Sequence, residues 1–179
     1  GINIYDKDGA AFTLNGNLDM KVKGVGVDMR GSEKNAVTIA GGTIFTPDDG
    51  EEASYKAVAA TSGTFAMGMN DAKTGSNGKD VVVQGTISLG KKGTVDLGLG
   101  SSKSRWTGIA DNKDGHPMNL YLSDGGMWEN RRTSKDQYGL FAGSRVTKVA
   151  GGTAPAKAGV IVQKDSNPIT IDHYSGHTI

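Results

Sequence analysis

Apolar side chains in this chain recur at every second position, in runs too short for anything but β-strands. Leu18, Met20 and Val22 alternate with Asp19 and Lys21, and Val25, Val27 and Met29 alternate with Gly26 and Asp28. The same step carries Val95, Leu97 and Leu99, then Leu120 and Leu122, then Ile169 and Ile171. Successive side chains of a strand point to opposite faces, so each run predicts one buried face and one wet face. Turn clusters separate the runs: Asp6-Lys7-Asp8-Gly9, Asp48-Asp49-Gly50, Gly75-Ser76-Asn77-Gly78, Asp111-Asn112-Lys113-Asp114-Gly115 and Ser123-Asp124-Gly125-Gly126. Such residues adopt positive φ or close a turn with their own side chains. Glycine makes up 28 of the 179 residues. Inside a helix each would cost about 1 kcal/mol relative to alanine. The expected class is all-β.

A longer period decides between a sandwich, a barrel and a solenoid. Gly-Thr followed by an apolar residue occurs at Gly42-Thr43-Ile44, Gly63-Thr64-Phe65 and Gly85-Thr86-Ile87, with steps of 21 and 22 residues. The same pitch lands near Trp106-Thr107-Gly108-Ile109, near Gly126-Met127-Trp128, near Arg145-Val146-Thr147 and on Pro168-Ile169-Thr170-Ile171. Sandwich strands have no reason to keep a fixed pitch, whereas stacked coils do. The spacing predicts a parallel β-helix over residues 1–179, one segment of about eight coils at 21–22 residues each, roughly 40 Å long. Asp71 to Lys79 and Asp111 to His116 are expected to leave the rod as loops at bends.

Several coils together resemble those of bacterial autotransporter passenger domains of the AIDA-type and pertactin-like group. The residues that carry the resemblance are Asn119-Leu120-Tyr121-Leu122-Ser123-Asp124-Gly125-Gly126-Met127-Trp128-Glu129-Asn130, preceded by Ser104-Arg105-Trp106-Thr107-Gly108. Ile169-Thr170-Ile171-Asp172-His173-Tyr174-Ser175-Gly176-His177-Thr178, Gly41-Gly42-Thr43-Ile44 and Gly93-Thr94-Val95-Asp96-Leu97-Gly98-Leu99-Gly100 extend it over most of the chain from about residue 12. The resemblance implies a right-handed parallel β-helix displayed on the bacterial cell surface, its parent anchored by a C-terminal outer-membrane barrel. It implies a non-catalytic role in adhesion to host-cell or bacterial surface ligands, or in self-association with other passengers. Over Gly1 to Gly9 no signal peptide is expected, and Ile179 directly follows a coil motif. The chain is therefore expected to be a fragment of a longer passenger. A polysaccharide lyase or hydrolase on the same fold, and a plain spacer, are the alternatives.

The chemistry-bearing residues give little support to an enzyme. Cysteine is absent, which removes disulfide scaffolds, zinc ribbons and thiol nucleophiles. The formal net charge is +1, so neither a basic nucleic-acid track nor an acidic tail is expected. No run reaches the roughly 20 apolar residues of a membrane helix, and no membrane contact is expected of this segment. His173 and His177 are four apart, a spacing that brings ligands together on a helix and separates them in a strand and bend. His116 follows a charged loop and is expected to be solvated. Ile171-Asp172-His173 resembles a stretch of pectate lyases, but Thr170 stands where they carry tryptophan, and Val149, Ala150 and Gly151, one period back, offer no second carboxylate.

A calcium loop starting at Asp6 would need glutamate at Asn17, and one starting at Asp111 would need it at Leu122. Asp48-Asp49-Gly50-Glu51-Glu52 reads as an acidic turn. Gly98-Leu99-Gly100-Ser101-Ser102-Lys103-Ser104 lacks the Gly-Lys-Ser/Thr order and following helix of a phosphate loop. Lys91-Lys92 and Arg131-Arg132 read as solvated pairs balanced by acids, and Trp106, Trp128 and Phe65 as core or stacked-ladder residues. No catalytic residue, cofactor or metal site is expected.

Overall fold

The computed structural model describes residues 1–48, 55–134, 143–164 and 166–179. Its strands are β1 (Ile2–Tyr5), β2 (Ala11–Lys21), β3 (Val25–Arg30), β4 (Ala36–Phe45), β5 (Lys56–Met67), β6 (Val81–Gln84) and β7 (Thr86–Leu99). They continue with β8 (Arg105–Thr107), β9 (Ala110–Asp111), β10 (Met118–Leu122), β11 (Met127–Asn130), β12 (Ser144–Ala150), β13 (Val160–Gln163) and β14 (Ile169–Ser175). The fold is all-β, and every pairing between these strands is parallel. A ten-strand path runs β13-β11-β8-β6-β4-β5-β7-β10-β12-β14, the sheet curling because single long strands serve two ladders. In β4, for example, Ala36 to Ile39 pair with β5 while Gly42 to Phe45 pair with β6.

The ladders form three faces. On the first, β1, β3, the start of β5, the start of β7 and β9 stack in turn. On the second, the first half of β2 is followed by β4, the end of β5, the end of β7, β10, β12 and β14. On the third, the end of β2 is followed by the end of β4, β6, β8, β11 and β13. Alternate residues point inward and meet in one continuous apolar cluster. Leu14, Ile39, Met67, Leu97, Leu120 and Val149 form one inward column in register. Met20, Ile44, Val83, Trp106, Trp128 and Ile161 form another.

The expected 21–22-residue coil is corrected here. Thr43 lies on the third face, Thr64 on the second and Thr86 on the first. A step of that size therefore advances part of a turn rather than a whole one. The true partner of Gly63-Thr64-Phe65 is Gly93-Thr94-Val95, 30 residues on. Only where the corners are tight does a coil shrink to the expected length, as from Trp106 to Trp128, 22 residues. Between β5 and β6 the chain makes an excursion, and the step from Ile44 to Val83 grows to 39. The loops expected at Asp71 to Lys79 and Asp111 to His116 do leave the stack at corners, the second beginning on the last residue of β9.

Gly-Thr recurs because it suits corners, whichever face follows. Gly42 has φ +105, and a Cβ there would sit 2.1 Å from the carbonyl oxygen of Leu18 in the rung below. No L side chain fits that approach. Trp106 and Trp128 are fully buried, stacked at 5.0 Å between centroids and 5° between planes. Each indole N–H donates to the carbonyl of a corner glycine one rung back, Trp106 to Gly85 at 3.1 Å and Trp128 to Gly108 at 3.0 Å. Phe65 is buried on the second face, so all three aromatics sit in the core ladders.

Trp128→Ala removes the stacking partner and opens a cavity, and is expected to cost about 3–5 kcal/mol. Val82→Thr, an outward position on the third face, should stay within about 0.5 kcal/mol. Urea unfolding followed by circular dichroism checks both. Similar midpoints for the two variants would contradict the inward column.

Candidate functional site

Outward residues of the second face also stack in register. Thr13, Thr38, Ala66, Asp96, Asn119, Lys148 and His173 form one column across the strands. Asn119 donates from Nδ2 to Asp96 Oδ1 at 2.8 Å, which satisfies a carboxylate that is itself buried. Lys148 Nζ lies 5.2 Å from the centre of the Tyr121 ring, within cation–π range. Beyond Asn119 the column opens to solvent, since Lys148 and His173 are both exposed.

At Thr38 and Ala66 the column carries small side chains, and the segment between β5 and β6 crosses above them. The result is an open groove of about 690 Å³. The loop holds itself in shape. Asn70 Oδ1 accepts from the Thr74 N–H at 2.9 Å, and Met69 pairs with Ser76 across the loop. Asn77 Nδ2 clamps the Ala40 carbonyl at 2.8 Å, while its Oδ1 accepts from the Lys79 N–H at 2.9 Å. The Tyr121 hydroxyl donates to the Lys73 carbonyl at 3.2 Å, and Lys73 adopts φ 53, a left-handed conformation uncommon outside glycine. Lys79 Nζ reaches the Asn15 carbonyl at 3.3 Å and so links the loop to the opposite wall.

The third face carries a different arrangement. Buried Glu129 pairs with Arg105 on one side and with Arg131 Nε at 2.8 Å on the other, and Arg131 Nη1 meets Asp48 at 2.6 Å. Arg131 is thus balanced by acids, as its sequence context suggested. The rest of the acidic turn expected at Asp48 to Glu52 lies outside the described residues. On the first face, Asp28 is buried beneath Tyr5 and Arg30. The Tyr5 hydroxyl donates to Asp28 Oδ2 at 2.6 Å, and Arg30 meets both carboxylate oxygens. That hydrogen bond, then desolvation and the Asp28 charge, raise the Tyr5 phenol above its ordinary 10.0. The same carboxylate raises Arg30 further.

The residues singled out in the sequence fall into separate places. His173 stands in β14 opposite Lys148, whereas His177 lies past the strand and pairs with Gly152. His116 is half-buried rather than fully solvated, because its backbone N–H and carbonyl are both held by the buried Asn112. Asp6 accepts from the N–H groups of Asp8 and Gly9, the turn expected of it. Lys91 and Lys92 are exposed. Asp172 takes Arg145 from the neighbouring strand, with Nη2 to Oδ2 at 3.1 Å. Arg145, Tyr121, Lys73 and Asp96 had no local sequence signal, since their partners lie 23 to 48 residues away. Among the described residues no three histidine or carboxylate groups come together to hold a metal ion.

Comparison with known proteins by family model, by curated sequence and by solved structure finds no match.

Tyr5 provides a check on the first face. Its raised folded value means that its contribution to stability is full below the ordinary value of 10.0 and is lost as pH rises through the raised one. Ultraviolet titration should show a phenol ionising above the ordinary 10.0, and Tyr5→Phe should remove that late phase. Identical late phases in parent and variant would contradict the hydrogen bond to Asp28.

Proposed function

We propose that this chain is a segment of a surface-displayed autotransporter passenger acting in adhesion or cell–cell self-association, without catalysis. On this reading the curled sheet is a right-handed parallel β-helix, the hand that parallel connections within one sheet almost always take, with fewer than the eight coils expected because several are much longer than 22 residues. The parent protein would be held at the cell surface by an outer-membrane barrel. The observation that carries the reading is the outward column of the second face. It runs in register from β2 to β14, is buried at Ala66 and Asp96, and ends in exposed Lys148 and His173 beside Asp172 and Arg145.

A regular rod presents such groups at fixed intervals of about 4.8 Å. Many weak polar contacts along one flank then act together, and avidity supplies what each contact lacks. The lyase alternative has no specific observation behind it. Asp172, the carboxylate it would use, is paired with Arg145.

Beads coated with the folded chain are expected to clump, less so as salt rises, because exposed charge contacts are screened within about 10 Å at 0.1 M. Lys148→Glu should reduce clumping without changing the thermal midpoint. A folded chain whose beads stay dispersed at every salt concentration would overturn self-association.

A further inference from the structure

The groove beneath the loop between β5 and β6 has the size of a small-ligand site, about 690 Å³, inside the roughly 300–1,000 Å³ range such sites occupy. Its lining mixes polar groups with the apolar Leu14, Ala66 and Met69. Asn15 and Thr38 make no side-chain hydrogen bond among the described residues, so their donors and acceptors remain available. Two lysines, Lys73 and Lys79, and one acid, Asp71, are among the lining residues, so the lining carries an excess of positive charge. The loop is already set in shape by Tyr121, which holds Lys73 in its left-handed conformation. A pre-formed wall lowers the ordering cost of binding.

A peptide would ordinarily use a free strand edge or apolar side-chain pockets. Here the floor lies on the outward face of strands that are already paired, with Thr38 and Ala66 in register. A ligand with many hydroxyls and a carboxylate matches the lining better. Lysine serves as a compact point charge for the carboxylate, while amide and hydroxyl groups take the ring substituents.

We propose that this groove binds a short acidic saccharide, with a sugar carboxylate between Lys73 and Lys79 and hydroxyl or N-acetyl groups against Asn15 and Thr38. The proposal deepens the adhesive reading and rests on it for its setting, since it names one ligand class for the same flank.

The test titrates the purified, folded chain at low salt with a hyaluronan tetrasaccharide, following binding by calorimetry and by NMR shifts. Chitotetraose serves as the uncharged counterpart and tetraglutamate as the acidic peptide. Saturable binding of the hyaluronan fragment is expected, about tenfold or more tighter than either control. Lys73→Met and Lys79→Met should each weaken it about tenfold, Lys73→Arg should retain it, and Thr38→Phe should fill the floor and abolish it. The lysine variants are surface changes, so their thermal midpoints should match the parent even if Thr38→Phe misfolds.

Equal binding of chitotetraose would overturn the acidic requirement, and equal binding of tetraglutamate would overturn the saccharide. No binding by the folded chain, or binding indifferent to Lys73→Met, would remove the site. None of these results bears on bead clumping, which involves no saccharide, so the two readings fail separately.

Discussion

Everything in this molecule depends on the parallel backbone ladder that stacks each coil on the last. A single coil exposes a row of unpaired N–H and C=O groups and cannot bury its few apolar side chains alone. Stacking resolves both needs at once, because the register that pairs Trp106 with Trp128 also lays one indole on the other. The indole N–H groups then satisfy corner carbonyls at Gly85 and Gly108, so the largest core residues also tie successive rungs together. Where the backbone turns and the ladder lapses, buried polar side chains take over. Asn35 donates to the Asp6 and Arg30 carbonyls and accepts from Ala10 N–H, while Asn112 binds both backbone groups of His116. Buried amides are tolerable there because their hydrogen bonds are made.

Much of this was legible in the sequence and some of it was misleading for a physical reason. Alternation at Leu18 to Val22, Val25 to Met29 and Val95 to Leu99 reported strands directly, since a buried face leaves a period of two. Gly-Thr reported corners just as directly, but a three-faced coil has several corners and the motif does not say which. Steps of 21 and 22 residues from Thr43 to Thr64 to Thr86 therefore joined three different faces. Core stacking of Trp106 and Trp128 could be read because that coil contains no excursion. The groove could not be read, since its floor, its loop and Tyr121 are brought together only by coils of unequal length. Small residues such as Thr38 and Ala66 carry no signal until their neighbours in space are known.

Unequal coils are also what separates scaffold from surface. The inward columns constrain insertion, because an added residue turns apolar side chains outward unless a bulge absorbs it, as between Lys56 and Val58. Corners tolerate it readily, since loop closure grows only slowly more costly with length. The segment between β5 and β6 uses this freedom, adding length at a corner while Thr38 and Ala66 stay in register beneath it.

The outward faces then differ in how much of their chemistry is already spent. On the third face Arg105, Glu129, Arg131 and Asp48 close on one another, leaving each carboxylate with a cation of its own chain. On the first face Asp28 is similarly occupied by Tyr5 and Arg30. A partner meeting either group would have to displace internal bonds that charge assistance makes strong. The second face is only partly spent: Asn119 satisfies Asp96, Arg145 pairs with Asp172 and Lys148 lies over Tyr121, but Lys148 and His173 stand exposed and the Thr38 and Asn15 side chains make no hydrogen bond among the described residues. Contacts made there would replace water rather than protein, which is the physical basis of the recognition proposed for the second flank.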